Sequence, residues 1–107
     1  MDVASLAASM LVAAKVPLIA GWDTAEPFAK TQFTNIAQQI VDIQAQLSAG
    51  SLNQAQASIL LDMQKNASRA AFLTISGIGV LAAQDAINAA LGAIATAVNG
   101  ALGFPLL

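Results

Sequence analysis

Cysteine, histidine and tyrosine are all missing from this sequence of 107 residues. Without cysteine the chain has no disulfide and no thiolate metal site. Without histidine, cysteine or tyrosine, a general base would have to be an aspartate, a glutamate or a lysine. The carboxylates Asp42, Asp62 and Asp85 have no second carboxylate or histidine at the sequence spacing of a metal site. We therefore expect neither an enzyme nor a bound cofactor or metal.

Charged residues are also scarce, at 9% of the chain, against about 25% in ordinary soluble domains. The basic residues Lys15, Lys30, Lys65 and Arg69 are scattered, and the formal net charge is −2. Proteins contact a phosphate backbone through clustered basic residues, and no such cluster is present here. We therefore do not expect nucleic acid as a partner. Polar faces made of Gln, Asn, Ser and Thr can pack against copies of themselves without burying unpaired charge. The composition therefore favours dense assembly.

Residues 1–16 are predicted to form a short apolar helix, which ends because Pro17 disfavours helical geometry at Val16. The segment could also be a signal peptide, but its start is acidic, Lys15 interrupts the apolar stretch and no clean cleavage site follows. We expect it to belong to the mature fold, with cytoplasmic synthesis and assembly favoured and the final location unknown. Its apolar face consists of Val3, Leu6, Ala7 and Met10.

The middle of the chain is predicted to form an antiparallel hairpin of two helices, residues 24–49 and 51–76. Gly50 is typical of a residue that follows a helix, and Ser51 with Gln54 has the spacing of a capping box for the second helix. Such a short turn makes the two helices antiparallel neighbours. Large apolar residues recur at heptad spacing along the first helix. This hairpin seam consists of Phe33, Ile36, Ile40, Ile43 and Leu47.

The C-terminal third is the least charged segment, since Asp85 is its only charged residue over 70–107. A helix is predicted over residues 80–102. Gly77 and Gly79 precede it, and either end the helix before them or bend it. One side of the 80–102 helix carries large aliphatic residues, its flank carries alanines, and the tail is apolar to its last residue. We predict that an oligomer or membrane contact is formed by Ile87, Leu91, Ile94, Val98, Ala89, Ala93, Ala97, Phe104, Leu106 and Leu107.

These patterns predict an all-α fold with a single domain over residues 1–107: a short N-terminal helix, the hairpin, and an apolar C-terminal helix packed across it. A chain of this size is not expected to cover the hairpin seam, the C-terminal helix and the tail by itself. The leading hypothesis is therefore a non-catalytic structural protein that self-assembles, as the component of a shell, filament or tube does. Its expected partners are copies of itself.

Two alternatives remain open. The first is a membrane-active protein whose C-terminal third enters lipid, because the 80–102 helix is long enough to span a bilayer. Its seven large aliphatic residues favour insertion by roughly 3–4 kcal/mol, but Asp85 opposes it by up to about 3.5 kcal/mol. Asn88 and Asn99 add to that cost, so a lone span is not expected, although an oligomer that buries these side chains could insert. The second alternative is a helical bundle that binds an apolar small molecule.

Overall fold

The chain folds into four α-helices and no strand, and the computed structural model describes all of residues 1–107. The prediction of an all-α fold is confirmed. A short 3₁₀ turn at Ile19–Gly21 precedes the second helix. The four helices are α1 (Val3–Lys15), α2 (Trp22–Ser48), α3 (Gln54–Leu73) and α4 (Val80–Leu102).

The first helix is capped at its start by Asp2. The carboxylate of Asp2 accepts hydrogen bonds from the hydroxyl of Ser5 at 2.8 Å and from its N–H at 3.0 Å. These two bonds stabilise the ionised form and hold the pKa of Asp2 below its usual value. The helix ends at Lys15, close to the predicted boundary at residue 16.

The second helix begins two residues before the predicted boundary at residue 24. Its N-cap is Gly21, which has no side chain to offer a capping hydrogen bond. Pro27 therefore lies in the second turn, where the missing N–H leaves the carbonyl of Asp23 without its helical partner. The helix continues through this position, and an ion pair between Glu26 and Lys30, at 3.5 Å, spans it on the surface.

The turn between α2 and α3 has a different capping arrangement from the predicted one. The N–H of Gly50 bonds to the carbonyl of Leu47, and the N–H of Ser51 bonds to that of Gln46. Gly50 has φ +76°, so the turn has the hydrogen bonds and the left-handed residue of a Schellman motif. Ser51 thus completes the end of α2 and does not start α3. The capping box is instead formed by Asn53 and Gln56, so α3 begins at Gln54 and not at residue 51.

The glycines between α3 and α4 mark a break and not a bend within one helix. α3 ends at Leu73, three residues before the predicted boundary. Gly77 has φ +88°, a conformation that favours glycine, and Gly79 is the N-cap of α4. α4 covers Val80–Leu102, the predicted range, and ends at Gly103 in the left-handed conformation.

The helices pack in a ring. The chain bends by 99° between residues 3–15 and 19–48, and α1 packs on both α2 and α4. α2 packs along α3, and α3 packs on α4 over a shorter stretch. All four helices contribute to one hydrophobic core, in which the ring centroids of Phe33 and Phe72 are 5.7 Å apart. The molecule measures 43 × 21 × 18 Å.

Candidate functional site

The hairpin seam lies inside the molecule, as its heptad spacing predicted. Phe33, Ile36, Ile40 and Ile43 are fully buried, and Leu47 is half-buried near the end of α2. Their role is to hold α2 against its neighbours, so they are not available to a partner of the folded chain.

The aliphatic residues of α4 are also buried within the chain, which corrects their assignment to an intermolecular contact. Ile87, Leu91, Ile94 and Val98 all belong to the core of the single molecule. The sequence pattern located the apolar side of α4 correctly, but it did not show that α1 would cover part of that side. The covering helix supplies the contact that we expected from a second molecule or from lipid.

The C-terminal tail folds back on its own chain. The side-chain amide of Asn99 donates to the carbonyl of Leu107 at 3.3 Å, and its oxygen accepts from the N–H of Leu107 at 3.0 Å. Phe104, Leu106 and Leu107 are each half-buried against the core. The tail therefore packs on its own chain, and the part of Phe104, Leu106 and Leu107 that stays accessible is what an oligomer or membrane contact would use.

The alanine positions of α4 are the part of the predicted contact that remains accessible. Ala93 and Ala97 are exposed, and Ala89 is half-buried. They share the outer side of the helix with other small residues, among them Gly92 and Thr96. Over residues 86–102, the accessible side of α4 therefore carries small side chains and no charge.

The accessible surface of the folded chain is that of a compact monomer. Its area is 5499 Å², and a compact monomer of this mass, 10.8 kDa, is expected to expose about 5,500 Å². The core residues Ile87, Leu91, Ile94 and Val98 are covered without a second molecule. Any contact with a partner has to use the surface that remains.

Charged side chains are distributed unevenly over that remaining surface. Residues 3–14 of α1 and residues 86–102 of α4 contain no charged side chain. Because α1 packs on α4, these two stretches lie side by side, and we call their exposed surface the uncharged face. Most of the charged residues lie instead on α2 and α3: Asp23, Glu26, Lys30, Asp42, Asp62, Lys65 and Arg69.

A groove runs between the two helices of the uncharged face. It has a volume of about 460 Å³ and is lined by Ala8, Ser9, Val12 and Ala13 of α1 and by Ala93 of α4. Val12 is 75% exposed, so a branched aliphatic side chain stands beside small ones. Sequence reasoning missed Val12. Val12 lies off the apolar stripe of Val3, Leu6, Ala7 and Met10, and this position indicates that its side chain is exposed. Because alanines occur on every side of α1, the stripe is difficult to distinguish in the sequence.

Two carboxylates of the central helices have surface partners. Asp42 accepts a hydrogen bond from the amide of Gln38 at 2.9 Å, and Asp62 pairs with Lys65 at 3.6 Å. No group of three potential metal-ligating side chains lies together. The concave sites on the surface are all open grooves.

One helix, α4, is long and apolar enough to cross a membrane. Its most apolar window has a mean hydropathy of 1.3, and 33% of that window is buried in the fold. Residues 3–15 and 19–48 pass the same test only when taken together as one bent span. A core helix of a soluble protein satisfies the same criterion, so the length and composition of α4 fit both a membrane span and a core helix.

Comparisons of the chain with protein-family models, with curated proteins and with solved structures give no match.

Proposed function

We propose that this protein is a non-catalytic structural subunit that self-assembles through the uncharged face of α1 and α4. The observation that supports this most directly is the pairing of two charge-free helical stretches on one side of the molecule, with most charges on the opposite side. In an assembly, the charged α2 and α3 side faces water and the uncharged face meets another copy.

The chemistry of the uncharged face suits a second copy of the same chain. Two identical faces without charge meet with no like-charge repulsion. Ala8, Ala93 and Gly92 allow helix backbones to approach closely. The groove and the exposed Val12 lie on the same face. Two copies related by a twofold axis can therefore each place Val12 in the groove of the other.

The small side chains of the uncharged face favour protein over lipid as its partner, because helices that lie at a membrane surface present bulky Trp, Phe or Leu side chains.

A membrane-active protein that inserts α4 is the second candidate, supported by the length and hydropathy of that helix. Insertion would have to remove Ile87, Leu91 and Ile94 from the core. The gain in lipid contacts would thus be offset by the loss of packing inside the molecule. Self-assembly of the folded chain needs no such rearrangement, and we therefore place it first.

The test is the mass of the protein in detergent-free solution, measured by light scattering from micromolar to millimolar concentration. We expect the wild-type chain to form oligomers and Val12→Lys to shift them towards monomer, because the lysine places a charge in a desolvated contact. Met63→Lys is the matched control. Met63 is 62% exposed on α3, outside the proposed contact, so its replacement should leave the mass unchanged.

Two results would contradict the proposal. A wild-type chain that stays monomeric over the whole range would exclude self-assembly. Oligomers that dissociate equally in Val12→Lys and Met63→Lys would show that the contact is not the uncharged face.

A further inference from the structure

Large aliphatic side chains are concentrated at one end of the bundle. Val16 and Ile19, in the link between α1 and α2, are 76% and 64% exposed, and Val80 and Leu81, at the start of α4, are 62% and 72% exposed. We call these four residues the apolar end. They contrast with the uncharged face, whose exposed residues are mostly small.

The topology brings these residues to the same end of the molecule. The link that carries Val16 and Ile19 leads directly into α2, and the turn after α3 leads directly into Val80. The start of α2 lies beside the end of α3, since Phe28 and Thr74 line one groove. The end of α1, the start of α2, the end of α3 and the start of α4 therefore lie towards the same end of the molecule.

We propose that the apolar end inserts shallowly into the surface of a lipid bilayer. Exposed clusters of large aliphatic residues mark contact sites, because soluble proteins rarely leave them in water without a use. The end of the molecule measures 21 by 18 Å, about 380 Å² in projection, and a stable protein interface needs about 800 Å² per partner. It is too small to hold a second copy, whereas a bilayer accepts individual aliphatic side chains at the boundary of its acyl region.

The charged residues near the apolar end determine how deeply it inserts and which lipids it binds. Asp85 is exposed and lies four residues beyond Leu81, about 6 Å along the axis of α4. Insertion therefore stops after about one helical turn, and α4 does not span the bilayer. Lys15 and Asp23 flank the link with opposite signs. With no basic cluster to attract anionic lipids, binding should occur on zwitterionic membranes and be insensitive to salt.

The test is flotation of the purified protein with phosphatidylcholine vesicles. We expect the wild-type chain to float, and Leu81→Ser to reduce the partition coefficient at least about tenfold, because several buried methylene groups are lost. Ile59→Ser is the matched control. Ile59 is 59% exposed on α3, towards the opposite end of the molecule, so this variant should float like the wild type. Val16→Ser provides a second replacement at the apolar end, and circular dichroism verifies that each variant is folded.

Failure of the wild-type chain to float would overturn the inference, as would an equal loss of flotation in Leu81→Ser and Ile59→Ser. An oligomer that Leu81→Ser dissociates in the absence of vesicles would show that the apolar end binds another copy instead. The inference is independent of self-assembly through the uncharged face, because Val12→Lys should still float.

Discussion

Ser68 is the only polar residue that is buried in the core between α2 and α3. Its hydroxyl donates to the side-chain oxygen of Gln32 at 3.1 Å and accepts from the amide of Gln64 at 3.4 Å. A buried hydroxyl without such partners would cost free energy. This short chain of hydrogen bonds links the two helices across the hairpin and helps to fix their register.

Replacement of this hydroxyl gives a prediction at the scale of one residue. Ser68→Ala removes both hydrogen bonds, but alanine also raises helix propensity. Ser58→Ala, at an exposed position on the same helix, isolates the propensity effect. We expect Ser68→Ala to be less stable than Ser58→Ala by about 1 kcal/mol, as measured by urea unfolding. Equal stabilities would show that the hydrogen bonds contribute no net free energy.

At the scale of the element, the start of α3 depends on which residue caps it. The spacing of Ser51 and Gln54 fits a capping box, but the N–H of Ser51 closes the end of α2 by bonding to the carbonyl of Gln46. The cap that forms is Asn53, whose side-chain oxygen accepts from the N–H of Gln56 at 2.8 Å. Five residues, 49–53, therefore separate the helices, because the end of α2 is completed at Ser51 before Asn53 caps α3.

The two possible N-cap residues of α3, Asn53 and Ser51, predict different effects of mutation on stability. Asn53→Ala should lower the free energy of unfolding by about 1 kcal/mol, the usual cost of losing an N-cap side chain. Ser51→Ala should change it by less than about 0.5 kcal/mol, because Ser51 contributes its backbone and not its side chain. Thermal or urea unfolding of both variants provides the measurement. A larger effect of Ser51→Ala would restore the capping box that the sequence pattern suggested.

At the scale of the whole molecule, the protein separates three kinds of surface. The charged surface lies mostly on α2 and α3, the uncharged face lies on α1 and α4, and bulky aliphatic residues lie at one end. The core aliphatic residues of α4 belong to none of these surfaces. Stability and association should therefore be controlled by different residues.

A pair of charged substitutions tests this separation. Leu91 is 7% exposed in the core, so Leu91→Glu should destabilise the fold by at least about 3 kcal/mol through an unpaired buried charge. Val12→Lys, at an exposed position, should change the stability of the dilute monomer by no more than about 0.5 kcal/mol. Urea unfolding followed by circular dichroism measures both. A folded, stable Leu91→Glu chain that only loses its partners would mean that Leu91 lies at an intermolecular contact after all.

The sequence by itself determined the helices and their buried sides. The heptad spacing from Phe33 to Leu47 and the stripe from Ile87 to Val98 predicted which side of α2 and of α4 is buried. The range 80–102 agrees with α4 because a glycine precedes the helix and another follows it. These features are local, since a helix period and a terminal glycine depend on neighbouring residues only.

Only the tertiary structure decided what covers each buried side. Periodicity shows that Ile87, Leu91, Ile94 and Val98 need an apolar partner, but an alanine-rich helix of the same chain satisfies that need as well as a second molecule does. The placement of α1 on α4 covers those residues and also joins the charge-free stretches of both helices into one face. That placement depends on contacts between residues far apart in the chain, which no local pattern records.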